Sequence, residues 1–219
     1  LSIEDILGRE PISPDPKLMN IDTANKVVLV SGAGGSIGSQ LCKEVLMQTP
    51  KKLILLDHSE FALYNIFQEL KNLCVKDTVD IIPILGSVTE ANFLERLFKK
   101  FNPQSIFHAA AYKHVSLVEE NIIEGINNNV LGTLNLANIA IKNNVRKFVL
   151  VSTDKAVRPT SIMGASKRIA EMILQALSIS QKETLFTIVR FGNVLGSSGS
   201  VVPLFSSQIK KGGPVTVTH

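Results

Sequence analysis

Cysteine is scarce in this chain, two residues in 219, Cys42 and Cys74. Two thiols cannot build a disulfide framework. Both fall in segments with helical apolar spacing, so they read as reduced core or half-buried residues. Histidine is thin as well. The four histidines, at 58, 108, 114 and 219, show no metal-ligand spacing, and no metal site is expected. Charged residues reach only 19%, with a net charge of +4. The lysines and arginines are scattered apart from short pairs such as Lys51-Lys52, Lys99-Lys100 and Lys210-Lys211. That leaves no basic stripe for nucleic acid. No apolar run approaches the roughly 20 residues that span a bilayer, and no secretory signal is present, so the chain reads as cytoplasmic. It begins with Leu rather than Met and reads as a piece of a longer protein.

What is abundant is apolar content, 45% of residues, arranged in alternating strands and helices. Strands are expected at 26–31, 53–57, 80–85, 105–109, 146–152 and 185–191, and helices at 36–48, 60–74, 90–100, 118–142 and 162–181. This alternation predicts an α/β fold, a doubly wound, mostly parallel Rossmann-like sheet with helices on both faces. Residues 1–25 form an N-terminal arm, a short amphipathic piece (Ile3, Ile6, Leu7) and then a turn rich in proline (Pro11, Pro14, Pro16). Residues 26–191 form the dinucleotide-binding domain. Residues 192–219 open a substrate-binding lobe that the chain does not finish, ending in a strand-like PVTVTH.

The run Val27–Gly38, VVLVSGAGGSIG, ends an apolar strand in a glycine turn and opens directly into a helix. Gly32, Gly35 and Gly38 are spaced three apart, with Gly34 as an extra glycine. Such a turn lets backbone N–H groups approach a pyrophosphate at a helix N-terminus, with Ser36 and Ile37 in its first turn. The second apolar run ends in Asp57, 19 residues past Gly38, where a dinucleotide's ribose hydroxyls are held. A carboxylate there repels a 2′-phosphate. His58 and Ser59 follow it with no arginine to receive one, so NAD is favoured over NADP. Ser87 and Val88, beyond the third strand, and Ala109, Ala110 and Ala111, beyond the fourth, complete the cofactor set. The bland alternatives are an empty turn and a helix-capping aspartate.

In a doubly wound sheet ligands bind beyond the C-terminal strand ends. The fourth strand is followed by Tyr112, Lys113 and His114, expected at the pocket rim. The fifth is followed by Ser152, Thr153, Asp154 and Lys155. Ser152 or Thr153 can meet a sugar hydroxyl, and Asp154 and Lys155 offer an acid and a base. Met163 and Lys167, four apart, share a face of the next helix. Lys167 is expected to reach the cofactor's ribose, and Arg168 to point elsewhere. The sixth strand is followed by Asn193, expected on substrate, and by a GSSGS run containing Ser200, with Val201 after it.

Blocks in order along the chain carry a resemblance: ILGREPI (6–12), VSGAGGSIGSQL (30–41), LDHSEFALY (56–64), HAAAYKHV (108–115), NNVLGT (128–133), STDKAVRPTSIMGASKR (152–168) and RFGNVLGSSGSVVPLF (190–205). The chain resembles the extended short-chain dehydrogenase/reductase superfamily, and within it the polysaccharide-biosynthesis nucleotide-sugar 4,6-dehydratases. The resemblance implies an NAD-dependent lyase acting on a UDP-sugar, most often UDP-N-acetylglucosamine. It also implies a homo-oligomer, and a longer parent protein anchored at the cytoplasmic face of the inner membrane. The family's Tyr-x-x-x-Lys pair falls on Met163 and Lys167. Some long members of this branch carry the same Met, and in them the positions of Asp154 and Lys155 take more of the proton chemistry. Thr153, Asp154, Lys155, Met163 and Lys167 are therefore the catalytic candidates, and Lys113, His114, Asn193, Ser200 and Val201 the substrate-binding ones. A fragment lacking most of the substrate lobe is expected to turn over poorly. A 4-epimerase or reductase, and a non-catalytic dinucleotide-binding module, stay open as alternatives.

Overall fold

A computed structural model describes residues 15–74, 78–194 and 201–215. The segment carrying Ile3, Ile6, Leu7, Pro11 and Pro14, the 196–200 run with Ser200, and the last four residues lie outside them. Six strands form one parallel sheet: β1 (Val27–Ser31), β2 (Lys52–Asp57), β3 (Asp80–Leu85), β4 (Ser105–His108), β5 (Lys147–Thr153) and β6 (Leu185–Phe191). Their spatial order is β3-β2-β1-β4-β5-β6. The order reverses between β1 and β4, and that crevice is where a doubly wound sheet takes its ligand.

The strands read as continuous apolar runs because both faces of the sheet are covered. Along β1, Val28 and Val30 face one way and Leu29 the other, all fully buried. The first pair packs with Leu53 and Leu55 against α2 (Ser36–Met47) and α3 (Glu60–Leu73). Leu29 packs with Ile106, Phe148 and Leu150 against α4 (Ala91–Phe101), α7 (Gly132–Lys142) and α8 (Ile162–Ser180). Cys42 is buried in the first layer and Cys74 is half-buried, both free thiols. Burial, and then the Asp57 carboxylate, push the Cys42 thiol well above its usual range, so it stays protonated.

Two expectations need correction, and one element is new. Pro16, expected in a turn, opens a short helix, α1 (Pro16–Asn20), capped by Asp15. Proline suits that first position because its missing N–H has no helical partner there. The single helix expected at 118–142 is four pieces: α5 (Val115–Glu120), α6 (Ile122–Ile126), a π-turn (Asn127–Leu131) and α7. Residues 201–210, to which the sequence reading assigns no element, form a further helix, α9 (Val201–Lys210).

Two features bring the elements to the mouth of the crevice. First, α2 starts against the end of β1. A Cβ added to Gly38 would lie 1.8 Å from the Gly32 carbonyl oxygen, and Gly32 itself holds φ at +70°. Second, a buried polar chain crosses the sheet from His108, which is wholly enclosed. Ser31 Oγ lies 2.7 Å from His108 Nδ1, and His108 Nε2 lies 2.9 Å from Thr133 Oγ1. Thr133 donates to the Asn129 carbonyl at 2.7 Å, so it accepts from Nε2–H, and Nδ1 accepts from Ser31. His108 is therefore the neutral Nε2–H tautomer. Burial, and secondarily the Lys167 cation, push its pKa down to about 3.

Gly38→Ala should lower stability by about 2–4 kcal/mol, read as a fall in the urea midpoint; a change under about 0.5 kcal/mol would contradict the contact with Gly32. Below its ordinary pKa of about 6.5, His108 takes up a proton in the unfolded chain but not in the native one. Stability is thus complete above about pH 6.5 and drains away as pH falls toward 3, by roughly 2–4 kcal/mol from this residue. His108→Gln should flatten that loss when urea midpoints at pH 7.5 and 4.5 are compared. An unchanged difference would show that the acid sensitivity lies elsewhere.

Candidate active site

The glycine turn is tied to the end of β2 by one carboxylate. Asp57, 7% exposed, accepts the Gly34 N–H on Oδ2 and the Ser59 N–H on Oδ1, each at 2.9 Å. Each oxygen keeps a lone pair for a further donor such as a ribose hydroxyl. Gly34 is held close enough to α3 that a Cβ there would meet the Ala62 Cβ at 2.5 Å. Gly35 caps α2 with no side-chain hydrogen bond, which leaves the positive end of the helix dipole facing the crevice.

Two adjoining cavities occupy the crevice. The smaller, about 220 Å³, is walled by Gly32, Gly34, Asp57, His58, Ser59, Ser87, Val88 and Ala110. This is most of the expected cofactor set. The larger, about 710 Å³, is walled by Ser36, Ile37 and Gly38 on one side and by Thr153, Lys155, Met163 and Lys167 on the other. Gly35, Ala109, Ala111 and Tyr112 belong to both walls. Lys113, His114 and Asn193 line the larger cavity as well. Ser200 lies outside the described residues, as does the side chain of Val201, whose backbone opens α9.

At the end of β5 the chain turns through a single 3-10 turn, Asp154–Ala156, capped by Thr153. Asp154 is not among the residues of either cavity wall. Its carboxylate faces Gly192, where a Cβ would sit 3.4 Å from Oδ2. The Thr153 hydroxyl, donating at 3.0 Å, and then Lys155 hold the Asp154 carboxyl below the usual carboxylate range. The Lys155 ammonium sits 3.4 Å from Asp154 Oδ1 and donates to Asn193 Oδ1 at 3.1 Å. Of the two hydroxyls expected to offer a bond to a sugar, both lie in the wall of the larger cavity, but the Ser152 hydroxyl is turned under α8 by strand alternation and donates to Glu171 at 2.6 Å.

On α8, Met163 is 3% exposed and forms part of the cavity wall. Lys167, 5% exposed, donates to the Val151 carbonyl at 2.8 Å. Burial pulls its pKa down to about 8. Arg168 points away as expected and bonds Glu171.

Four polar residues escaped the sequence reading. Asn129 on the π-turn accepts the Tyr112 N–H at 2.8 Å, and donates to the Tyr112 carbonyl and to Ser166 Oγ, each at 3.0 Å. It thus clamps the wall segment shared by both cavities. Ser166 passes the chain on to the Met163 carbonyl. Glu119 accepts the Ile162 N–H at 2.7 Å and fixes the start of α8. Glu171 is the fourth. The available signals were the glycines flanking the π-turn, Gly125 and Gly132, and an acidic residue four places after Lys167 on an apolar helix. Among the described residues no group of three or more His, Cys, Asp or Glu could hold a metal, and no helix is long and apolar enough to cross a membrane.

The chain is 49% identical over its whole length to the capsular polysaccharide biosynthesis protein CapD of Staphylococcus aureus, and spans 36% of that protein. It is 36% identical over 201 residues to the UDP-glucose 4-epimerase of Rickettsia canadensis, covering 89% of this chain and 57% of that one. Among solved structures, Pen from Bacillus thuringiensis superposes with a TM-score of 0.81 at 36% identity, over 91% of this chain and 62% of that one. The Bordetella bronchiseptica enzyme WbmG, solved with NAD and UDP, gives a TM-score of 0.68 at 26% identity, over 86% of this chain and 61% of that one. The chain thus spans roughly a third of the length of CapD. The model of the polysaccharide biosynthesis protein family matches residues 28–219, the whole sheet and both cavities with it, and the chain belongs to that family.

Proposed function

We propose that the chain is the cofactor-binding part of an NAD-dependent nucleotide-sugar 4,6-dehydratase acting on UDP-N-acetylglucosamine. One observation carries the reading: Thr153, Lys155, Met163 and Lys167 wall a single cavity that opens onto the glycine turn. The residues fit NAD. The N-terminus of α2 faces the pyrophosphate, Asp57 has lone pairs for the adenosine ribose, and its charge opposes a 2′-phosphate. Bound there, NAD supplies a reversible acceptor that takes hydride from C4 of the hexose and returns it to C6.

The remaining steps belong to the protein. Thr153, or a water in the space beside Met163, assists loss of the C4 hydroxyl proton. Lys155 takes the C5 proton and returns one to C5 once C6 has received hydride, and Asp154 protonates the C6 hydroxyl as the C6–O bond breaks and water leaves. Asp154 rests ionised and stands outside the cavity wall; it receives the C4 hydroxyl proton through the Thr153 hydroxyl that bonds it and passes it on to C6 by the same bond. Lys167 orients the nicotinamide ribose and lowers the pKa of the acting base. Asn193, Lys113 and His114 line the side where the sugar nucleotide enters. Exposed Leu117, Ile123, Met172 and Ile179 on α5, α6 and α8 support pairing of two copies.

The kinship with a UDP-glucose 4-epimerase favours a second reading, simple epimerisation at C4. Met163 weighs against it, since it has no proton to exchange. The test is mass spectrometry and proton NMR of UDP-N-acetylglucosamine held in deuterated water with NAD and a chain extended past His219. Dehydration predicts loss of one water's mass, offset by one deuterium at C5. Unchanged mass with inverted C4 would establish the epimerase, and unchanged substrate would remove this sugar. Lys155→Ala should cut turnover at least about 100-fold while leaving NAD affinity near normal.

A further inference from the structure

The mechanism gives no part to the most heavily bonded carboxylate near the cavity. Glu171 has a side-chain exposure of 0%. Its Oε1 accepts from Ser152 Oγ at 2.6 Å and from Arg190 Nε at 2.7 Å. Its Oε2 accepts from Arg168 at 3.0 Å and from the second Arg190 nitrogen at 2.5 Å. The bonds tie α8 to β5 and β6 at the cavity wall, at Ser152 itself and one residue short of Phe191. Glu171 stands one helical turn from Lys167 on the same face. The two residues also grip consecutive positions of β5, since Lys167 bonds the Val151 carbonyl and Glu171 bonds Ser152.

We propose that Glu171 is a positioning residue for Lys167: its buried carboxylate stands one turn along α8 as the counter-charge to the lysine cation and fixes α8 to the ends of β5 and β6, and so sets the ribose end of the cofactor site. A stranded ammonium at 5% exposure needs a counter-charge. Glu171 favours the Lys167 cation against burial, and its own carboxyl is held at about 2 despite burial, by bonds from Arg190, Ser152 and Arg168. The elements packed on α8 carry other charges: Glu119, which bonds its start, Glu120 of α5, Glu124 of α6, Lys142 of α7, which pairs with Glu95, Lys147 of β5, which pairs with Asp22, and Asp154 and Lys155 of the 3-10 turn. All of these reach water, which screens them, and His108 beneath is neutral.

This inference rests on the cofactor reading above, and its test is binding rather than turnover. NADH affinity of the full-length protein is measured by NADH fluorescence from pH 6 to 10. In the unaltered protein affinity falls above about pH 8, as Lys167 loses its proton. Glu171→Gln removes the counter-charge, so the midpoint of that fall should drop by about half a pH unit or more. Arg190→Gln removes an opposing cation and should move the midpoint up. Ser152→Ala, which leaves every charge in place, should not move it. Binding weakened by one factor at all pH values in both charge variants would reduce Glu171 to a structural brace and overturn the proposal. If Glu171→Gln fails to fold, an unmoved midpoint in Arg190→Gln overturns it alone. Absence of NADH binding in the unaltered protein would remove the cofactor reading and this inference with it.

Discussion

The approach of helix α2 to the end of β1 is the constraint on which the upper half of the molecule depends. With hydrogen at position 38 the helix starts directly over the Gly32 carbonyl, where any side chain would overlap an oxygen. That contact fixes the axis of α2, and the axis fixes where its first N–H groups point. The alanines after β4 meet the same turn from the other side: a Cβ on Gly32 would lie 2.6 Å from the Ala110 nitrogen. A cofactor site made mostly of backbone has no long side chains to adjust. Its geometry must come from close packing of chain against chain.

The opposite wall solves the inverse problem. Thr153, Lys155, Met163 and Lys167 come from a strand end, the 3-10 turn after it and a helix, and long side chains need fixing in space. Here the fold uses buried polar bonds. Asn129 pins the Tyr112 backbone, Glu119 pins the start of α8, and Glu171 ties α8 to two strands. Such bonds are directional, so they specify position more narrowly than apolar contact does. The apolar layers beneath supply the burial that makes these bonds count.

The sequence displayed the backbone half of the site well and the polar half poorly. Gly32, Gly35, Gly38 and Asp57 are legible because their spacing reflects chemistry local to one strand–turn–helix unit. The strand tails were legible because parallel topology sends every C-terminal end to one edge. The broken helix at 115–142 was not. A π-turn adds one residue to a helical turn without interrupting the apolar pattern, so periodicity passes smoothly over it. His108 and Glu171 were hidden for another reason. Their roles depend on partners at 31, 133, 152 and 190, which only the folded sheet brings near.

Asp57 serves two masters. The oxygen facing the glycine turn bonds Gly34, and in the proposed cofactor site the same carboxylate opposes a phosphate on the ribose. An evolutionary change of cofactor at this site therefore cannot be a single substitution. Replacing the carboxylate frees Gly34 before any cation has arrived to greet a phosphate. On that reading the intermediate sequence would hold neither cofactor well, because the residue that selects the dinucleotide also builds the turn that receives it.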